Sequence, residues 1–153
     1  MSHYWRHPAV PHIEIRNMED GRTFSHASHA HATFSIGAIM AGQSSYLNGQ
    51  SVRHISAGSV VLMSPGVVHA CNPLQSQPWA YRMFYVDAEW PRCNMREGSE
   101  RQMASRPPWR TTTDPTLFAE LDRLYVTLTQ RGTAPDILQA VVLTFSCDRS
   151  SVG

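Results

Sequence analysis

The chain has 153 residues, 42% of them apolar, with 13 basic against 12 acidic side chains and a formal net charge of +1. That length is one domain with room for an appendage, able to bury roughly two thirds of its unfolded surface without cross-links. It offers no apolar run of the roughly 18 residues a membrane helix needs. It has no lysine for Schiff-base or pyridoxal chemistry, and its arginines are too scattered for a nucleic-acid-binding stripe.

Three cysteines, Cys71, Cys93 and Cys147, form no C-x-x-C pair, so neither a disulfide framework nor a cysteine zinc site is expected. The segment from Met1 to Pro11 is polar and carries His3 and His7 where a secretory leader would be apolar. A cytoplasmic location is therefore expected.

In chain order, residues 13–87 read as short strands, residues 114–147 as helix, and the polar stretch 92–108 joins them through Arg106-Pro107-Pro108. Ile13 and Ile15 alternate with Glu14 and Arg16, Asp20-Gly21 turns the chain, and Thr23-Phe24 resumes it. A longer strand is predicted from His29 to Met40. Asn48-Gly49, between Tyr46-Leu47 and Val52–Ile55, is the strongest hairpin signal, because both residues tolerate a positive φ. Ala57-Gly58 leads into the strand Val60–Met63, which Ser64-Pro65-Gly66 stops. Val67 to Cys71 follows, and Asn72-Pro73 closes it. Along Trp79–Val86, Trp79, Tyr81, Met83 and Tyr85 share one face, and Ala80, Arg82, Phe84 and Val86 the other. Many short strands with regular turns predict a sandwich or a jelly-roll barrel. Asp114 caps a helix with Pro115 in its first position. Leu117, Leu121, Leu124 and Leu128 then form a stripe, widened by Phe118 and Tyr125 and ended by Gly132. A second helix starts near Pro135-Asp136 and sets Ile137, Leu138, Val141, Val142 and Phe145 on one face.

The chemistry-bearing residues begin with His26, His29 and His31. In an extended strand His29 and His31 share a face with Thr33 and Ser35. With His69 from another strand they either hold a divalent metal or line a pocket and hydrogen-bond an organic ligand. Trp79 and Tyr81 either stack on that ligand or pack within the sheet. Arg82 would fork onto a carboxylate if it lies by the pocket, and otherwise makes a surface ion pair. Cys71 reads as a small buried thiol, since no third group orients it with His69 as a nucleophile. The leucine stripe is either a dimer seam or a face packed on the barrel, and two heptads do not decide between them.

The stretch Ser28 to Gly37 resembles the first cupin motif and Gly58 to Asn72 the second. SHAHATFSIGAIMAG, YLNG, AGSVVLMSPGVVHACNP and PWAYRMFYVDAEW, in this order along the chain, resemble the effector-binding domain of AraC-family transcription regulators. The resemblance implies a mainly β fold: a cupin-like jelly-roll barrel followed by one or two α-helices. It places the barrel with an N-terminal arm in residues 1–110 and a helical dimerisation segment in residues 111–153. It implies a sensor, not an enzyme, that takes a small polar organic effector among His29, His31, Thr33, Ser35, His69, Trp79, Tyr81 and Arg82. It implies a homodimer through Leu117, Leu121, Leu124, Tyr125 and Leu128. DNA would be reached only through a C-terminal helix-turn-helix domain that this chain does not carry, with no DNA or membrane contact of its own. Two departures bear on metal: Ser35 stands where metal cupins place a carboxylate, and Ala32 where an acidic residue often follows the second histidine. No cofactor is expected, although His29, His31 and His69 could still hold a metal such as zinc. The rival readings are a metal-dependent cupin enzyme, such as a dioxygenase or isomerase, and a stand-alone binding or dimerisation module.

Overall fold

The computed structural model describes residues 2–22, 32–48, 51–66, 69–74, 77–87 and 109–140, without the side chains of residues 48, 109 and 110. The strands are β1 (Ser2–Trp5), β2 (Ile13–Met18), β3 (Phe34–Asn48), β4 (Ser51–Ser56), β5 (Val60–Met63), β6 (His69–Pro73), β7 (Trp79–Val86) and β8 (Trp109–Thr112). Helix α1 is Pro115–Thr129, and α2 is described over residues 135–140.

Every strand pairing is antiparallel, and one path runs β1-β2-β7-β3-β5-β8. Strand β3 organises the barrel. Its first part pairs with β7 and β5, and its second part, from Gln43 on, with β4 and β6. A bulge between Ile39 and Ala41 and a left-handed Gly42 (φ 75°) separate the two parts. A Cβ on Gly42 would lie 2.1 Å from the Pro78 carbonyl oxygen, so only glycine allows this corner. The strand predicted to stop at Met40 therefore bends there and continues. The β3–β4 hairpin forms with Asn48 opposite Ser51, so Asn48 ends the strand one residue later than the predicted Asn48-Gly49 turn.

The alternation of each strand divides apolar side chains between two clusters. One face of the sheet presents Ile13, Ile15, Ala38, Val60, Phe84 and Val86; the other presents Met18, Ile39, Val61, Met63, Trp79, Tyr81 and Met83 around Tyr46 and Ile55. The first face is covered by α1. Leu117, Leu121, Leu124 and Leu128 are 6%, 0%, 4% and 2% exposed and belong to the same cluster as Ile15 and Phe84, as does Leu138 of α2. The stripe expected to form a dimer seam is therefore buried within its own chain. The sheet face opposite it is as apolar as the stripe, and one helix covers it with roughly 1.5–3 kcal/mol per buried leucine before entropy costs. Of the partners expected for α2, Ile137 is exposed, while Val141, Val142 and Phe145 lie outside the described residues.

Local chemistry sets the ends of α1. The Asp114 carboxylate accepts a hydrogen bond from the Thr116 amide at 2.9 Å, and Gln130 leaves the helix in extended geometry. Strand β8 pairs with β5 up to Thr112, so the sheet runs two residues past the boundary expected at residue 110. The Arg82 guanidinium of β7 binds the Asp122 carboxylate of α1 and lies 3.8 Å from the Tyr125 ring centre.

Candidate functional site

A cavity of about 470 Å³ opens between the barrel walls, on the face of β7 turned away from α1. Strand β7 supplies Trp79, Tyr81, Met83 and Tyr85, the four residues that its alternation sets on one face. Its neighbour β2 supplies Glu14 and Arg16, and the arm strand β1 supplies Tyr4. The same sheet continues through Gly37 and Ile39 of β3 and Val61 of β5, with Ala32 and Thr33 just before β3, and β6, which pairs with the second part of β3, adds His69 and Cys71.

The wall is aromatic with a few aimed polar groups. The Trp79 and Tyr81 rings lie 4.6 Å apart, tilted by 30°, a separation typical of attractive aromatic pairs. Arg16 Nε donates to Ser2 Oγ at 3.0 Å, and its guanidinium sits 5.4 Å from the Tyr4 ring centre. Glu14, on the same face of β2, accepts from Arg6 at 2.5 Å. Burial pushes the Tyr85 phenol up to about 12 and raises Tyr81 as well, so both hydroxyls keep their protons at physiological pH. His69 is 4% exposed, with its ring 6.4 Å from that of Tyr46.

Of the site residues expected from sequence, Thr33, His69, Trp79 and Tyr81 come together around the cavity. Ser35 is 1% exposed and does not line it. Arg82 stands on the opposite face of β7, bound to Asp122, because odd and even positions of a strand face opposite ways. His29 and His31 lie outside the described residues, as does His26. Among the described residues no group of three or more His, Cys, Asp or Glu is placed to hold a metal. The expected three-histidine set depends on the two histidines beyond that description. Sequence reading missed Arg16, Glu14 and Tyr4. The signal was the alternation of β2, whose isoleucine face was open to being taken as the inner one. That face meets α1 instead, and the polar face meets the cavity.

Burial also pushes the Cys71 thiol up to about 12, which leaves only about one in 10⁴ ionised at pH 8. In a Cys93→Ser/Cys147→Ser background the native protein is therefore expected to resist a thiol-specific disulfide reagent at pH 8. Urea-unfolded protein should react within minutes. Fast reaction of the folded protein would show that the thiol is activated and would reopen a Cys71–His69 nucleophile.

No curated protein matches the chain in sequence. Solved structures do match it. ToxT from Vibrio cholerae in its unsaturated fatty acid-bound form aligns with a TM-score of 0.59 at 12% identity, over 87% of this chain and 52% of that one. An apo form of ToxT gives 0.56 at 13% identity, over 87% and 53%. The chain thus spans about half the length of ToxT. A cupin-like protein from Thermotoga maritima gives 0.50 at 18% identity, over 57% of this chain and 68% of that one. At such identities the likeness is one of fold, and it is the cupin-like barrel expected from sequence. Residues 14–143 match the AraC-like ligand binding domain, and the chain belongs to that family.

Proposed function

We propose that the chain is the sensing module of a transcription regulator. A small organic effector enters the barrel and biases the position of α1, and α1 acts on a DNA-binding domain outside the present sequence. The observation that carries this reading is the two-sidedness of β7. Trp79, Tyr81, Met83 and Tyr85 line the cavity, while Arg82 between them is tied to Asp122 and Tyr125 of α1. A ligand that moves this strand by differential binding acts on the helix without touching it. ToxT, which shares the fold, has been solved with a fatty acid, which supports a small-molecule occupant.

The chain acts by binding and not by catalysis, holds no resident metal, and makes no specific contact with DNA on its own. A homodimer belongs to the same reading, on a surface other than the buried leucine stripe. No helix among the described residues is long and apolar enough to cross a membrane.

Native mass spectrometry of the purified protein tests these points together, since it reads ligand, metal and oligomer at once. A co-purified or screened organic molecule of about one per chain is expected. At 100 times its dissociation constant it should add about 2.7 kcal/mol of stability. The Thr33→Trp variant, which fills the cavity wall, should lose it. Binding that survives Thr33→Trp would remove the barrel as the effector site. About one transition metal per chain would move the reading toward a cupin enzyme.

A further inference from the structure

We infer that the effector carries a planar aromatic ring, seated over Gly37 beside the Met83 thioether and against Trp79 and Tyr81, and that Gly37 is the residue that makes room for it. This rests on the barrel being the effector site and names the chemical class that the site selects.

The register of the sheet carries the argument. Arg16 of β2 pairs with Met83 of β7, Met83 with Gly37 of β3, and Gly37 with Val61 of β5. Residues in register across neighbouring strands stand on one face, and all four line the cavity. Gly37 alone has no side chain, so the row has a gap between Met83 and Val61. A Cβ on Gly37 would lie 3.0 Å from the Met83 methyl carbon and 3.3 Å from its sulfur, with Val61 Cβ 4.0 Å away. The end of Met83 thus leans over the gap, where a side chain at position 37 would crowd it. The Gly37 backbone is not left-handed, so the strand does not need glycine for its conformation. What glycine provides here is space.

The surroundings of the gap say what fills it. In the next row Tyr81 pairs with Ile39, and Trp79 follows Tyr81 on the same face of β7, the two ring centres 4.6 Å apart. Trp79 is held in place: the Gly21 amide donates to its carbonyl at 2.8 Å. A Cβ on Gly21 would lie 2.4 Å from the indole Nε1, so backbone packs directly on that edge of the ring. Trp79 is 2% exposed and Tyr81 6%. On its cavity face β7 therefore offers rings and a sulfur, and no branched aliphatic side chain. Ring-to-ring and sulfur-to-ring contacts favour an aromatic ligand over a saturated one of the same skeleton. A rigid wall also favours a rigid ligand, since a flexible chain loses more freedom on binding. A cavity of about 470 Å³ falls in the usual range for one small ligand, roughly 300–1,000 Å³.

The test uses matched sets on the full chain by calorimetry: benzyl alcohol, benzamide and benzoate, each against its cyclohexyl counterpart and its straight-chain counterpart of equal carbon number. At least one aromatic member should bind about 5-fold or more tightly than both its partners. The saturated partners are the more hydrophobic, so burial alone predicts the opposite order. Gly37→Ala should still unfold cooperatively on heating and should weaken that aromatic ligand about 10-fold. Gly37→Ala/Met83→Ala should recover part of the loss, because removing the thioether reopens the gap. Val61→Leu narrows the gap from the other side and should weaken the ligand too. If the saturated members bind as tightly as the aromatic ones, or no aromatic member binds, the inference falls. Full affinity in a folded Gly37→Ala would overturn the seat at Gly37; if that variant folds poorly, full affinity in Val61→Leu would do so. Should saturated ligands bind and Thr33→Trp abolish that binding, the barrel remains the effector site and only the aromatic class is wrong. Aromatic ligands that bind Thr33→Trp as well as the wild type would overturn both.

Discussion

Leu121→Ala is expected to lower the unfolding free energy by about 2–5 kcal/mol in urea denaturation, with no change in sedimentation of the folded protein. Leu121 is fully buried, at 0% exposure, in the middle of the stripe that faces Ile13, Ile15, Phe84 and Val86. Truncation removes three carbon atoms from a site closed on the sheet side and on the helix side, so a cavity remains. For a domain whose whole stability is about 5–15 kcal/mol, the loss is visible at once. Val126, on the same helix but 53% exposed, provides the control. Val126→Ala should stay within about 0.5 kcal/mol. A seam between two chains predicts a different result: Leu121→Ala would dissociate a dimer at unchanged monomer stability. Sedimentation and denaturation run on the same samples separate the two outcomes. The double change Leu121→Glu/Leu124→Glu should unfold the chain, because it sets two carboxylates in an apolar core.

Local signals made some elements legible to the residue. Val60–Met63 lies between the left-handed Gly58 and the Ser64-Pro65-Gly66 stop, and Trp79–Val86 carries its own alternation. Both strands have the predicted bounds. The Asp114-Pro115 start of α1 was equally local. Strands β1 and β8 were not legible. Ser2–Trp5 is a strand because it pairs with Ile15 to Met18, and Trp109–Thr112 because it pairs with β5. Neither has turn residues or periodicity of its own, so only tertiary contact defines them. For the site, alternation told which residues share a face and left open what covers each face. It separated Arg82 from Trp79 and Tyr81 correctly. It did not say that a helix lies over the Arg82 face and a cavity over the other. The same gap hid Arg16. On β2 the apolar face is the helix side, so Glu14 and Arg16, the two polar residues that alternate with the isoleucines, became the cavity's charged wall.

The second large effect is expected at the link between these two faces. Asp122→Ala should cost about 1–3 kcal/mol, because it leaves the Arg82 guanidinium without its carboxylate beside a packed helix. Arg82 is 18% exposed and Asp122 48%, so solvent screening keeps the cost below that of a fully buried pair. Tyr125 holds the other side of the guanidinium at 3.8 Å from its ring centre, a cation–π contact that adds about 0.5–2 kcal/mol. Arg82→Ala should therefore cost more than Asp122→Ala, since it also removes the stem that packs between β7 and α1. A double-mutant cycle over the two residues should return a coupling of about 0.5–3 kcal/mol. Neither residue lines the cavity, so ligand affinity in the variants should stay near that of the wild type. What should change is the response of the helix. In the wild type, ligand binding should alter amide hydrogen-exchange protection along residues 115–129, and in Asp122→Ala that change should shrink. If α1 responds to ligand as fully in Asp122→Ala as in the wild type, the message passes through the leucine face, and Arg82 only fastens the helix in place.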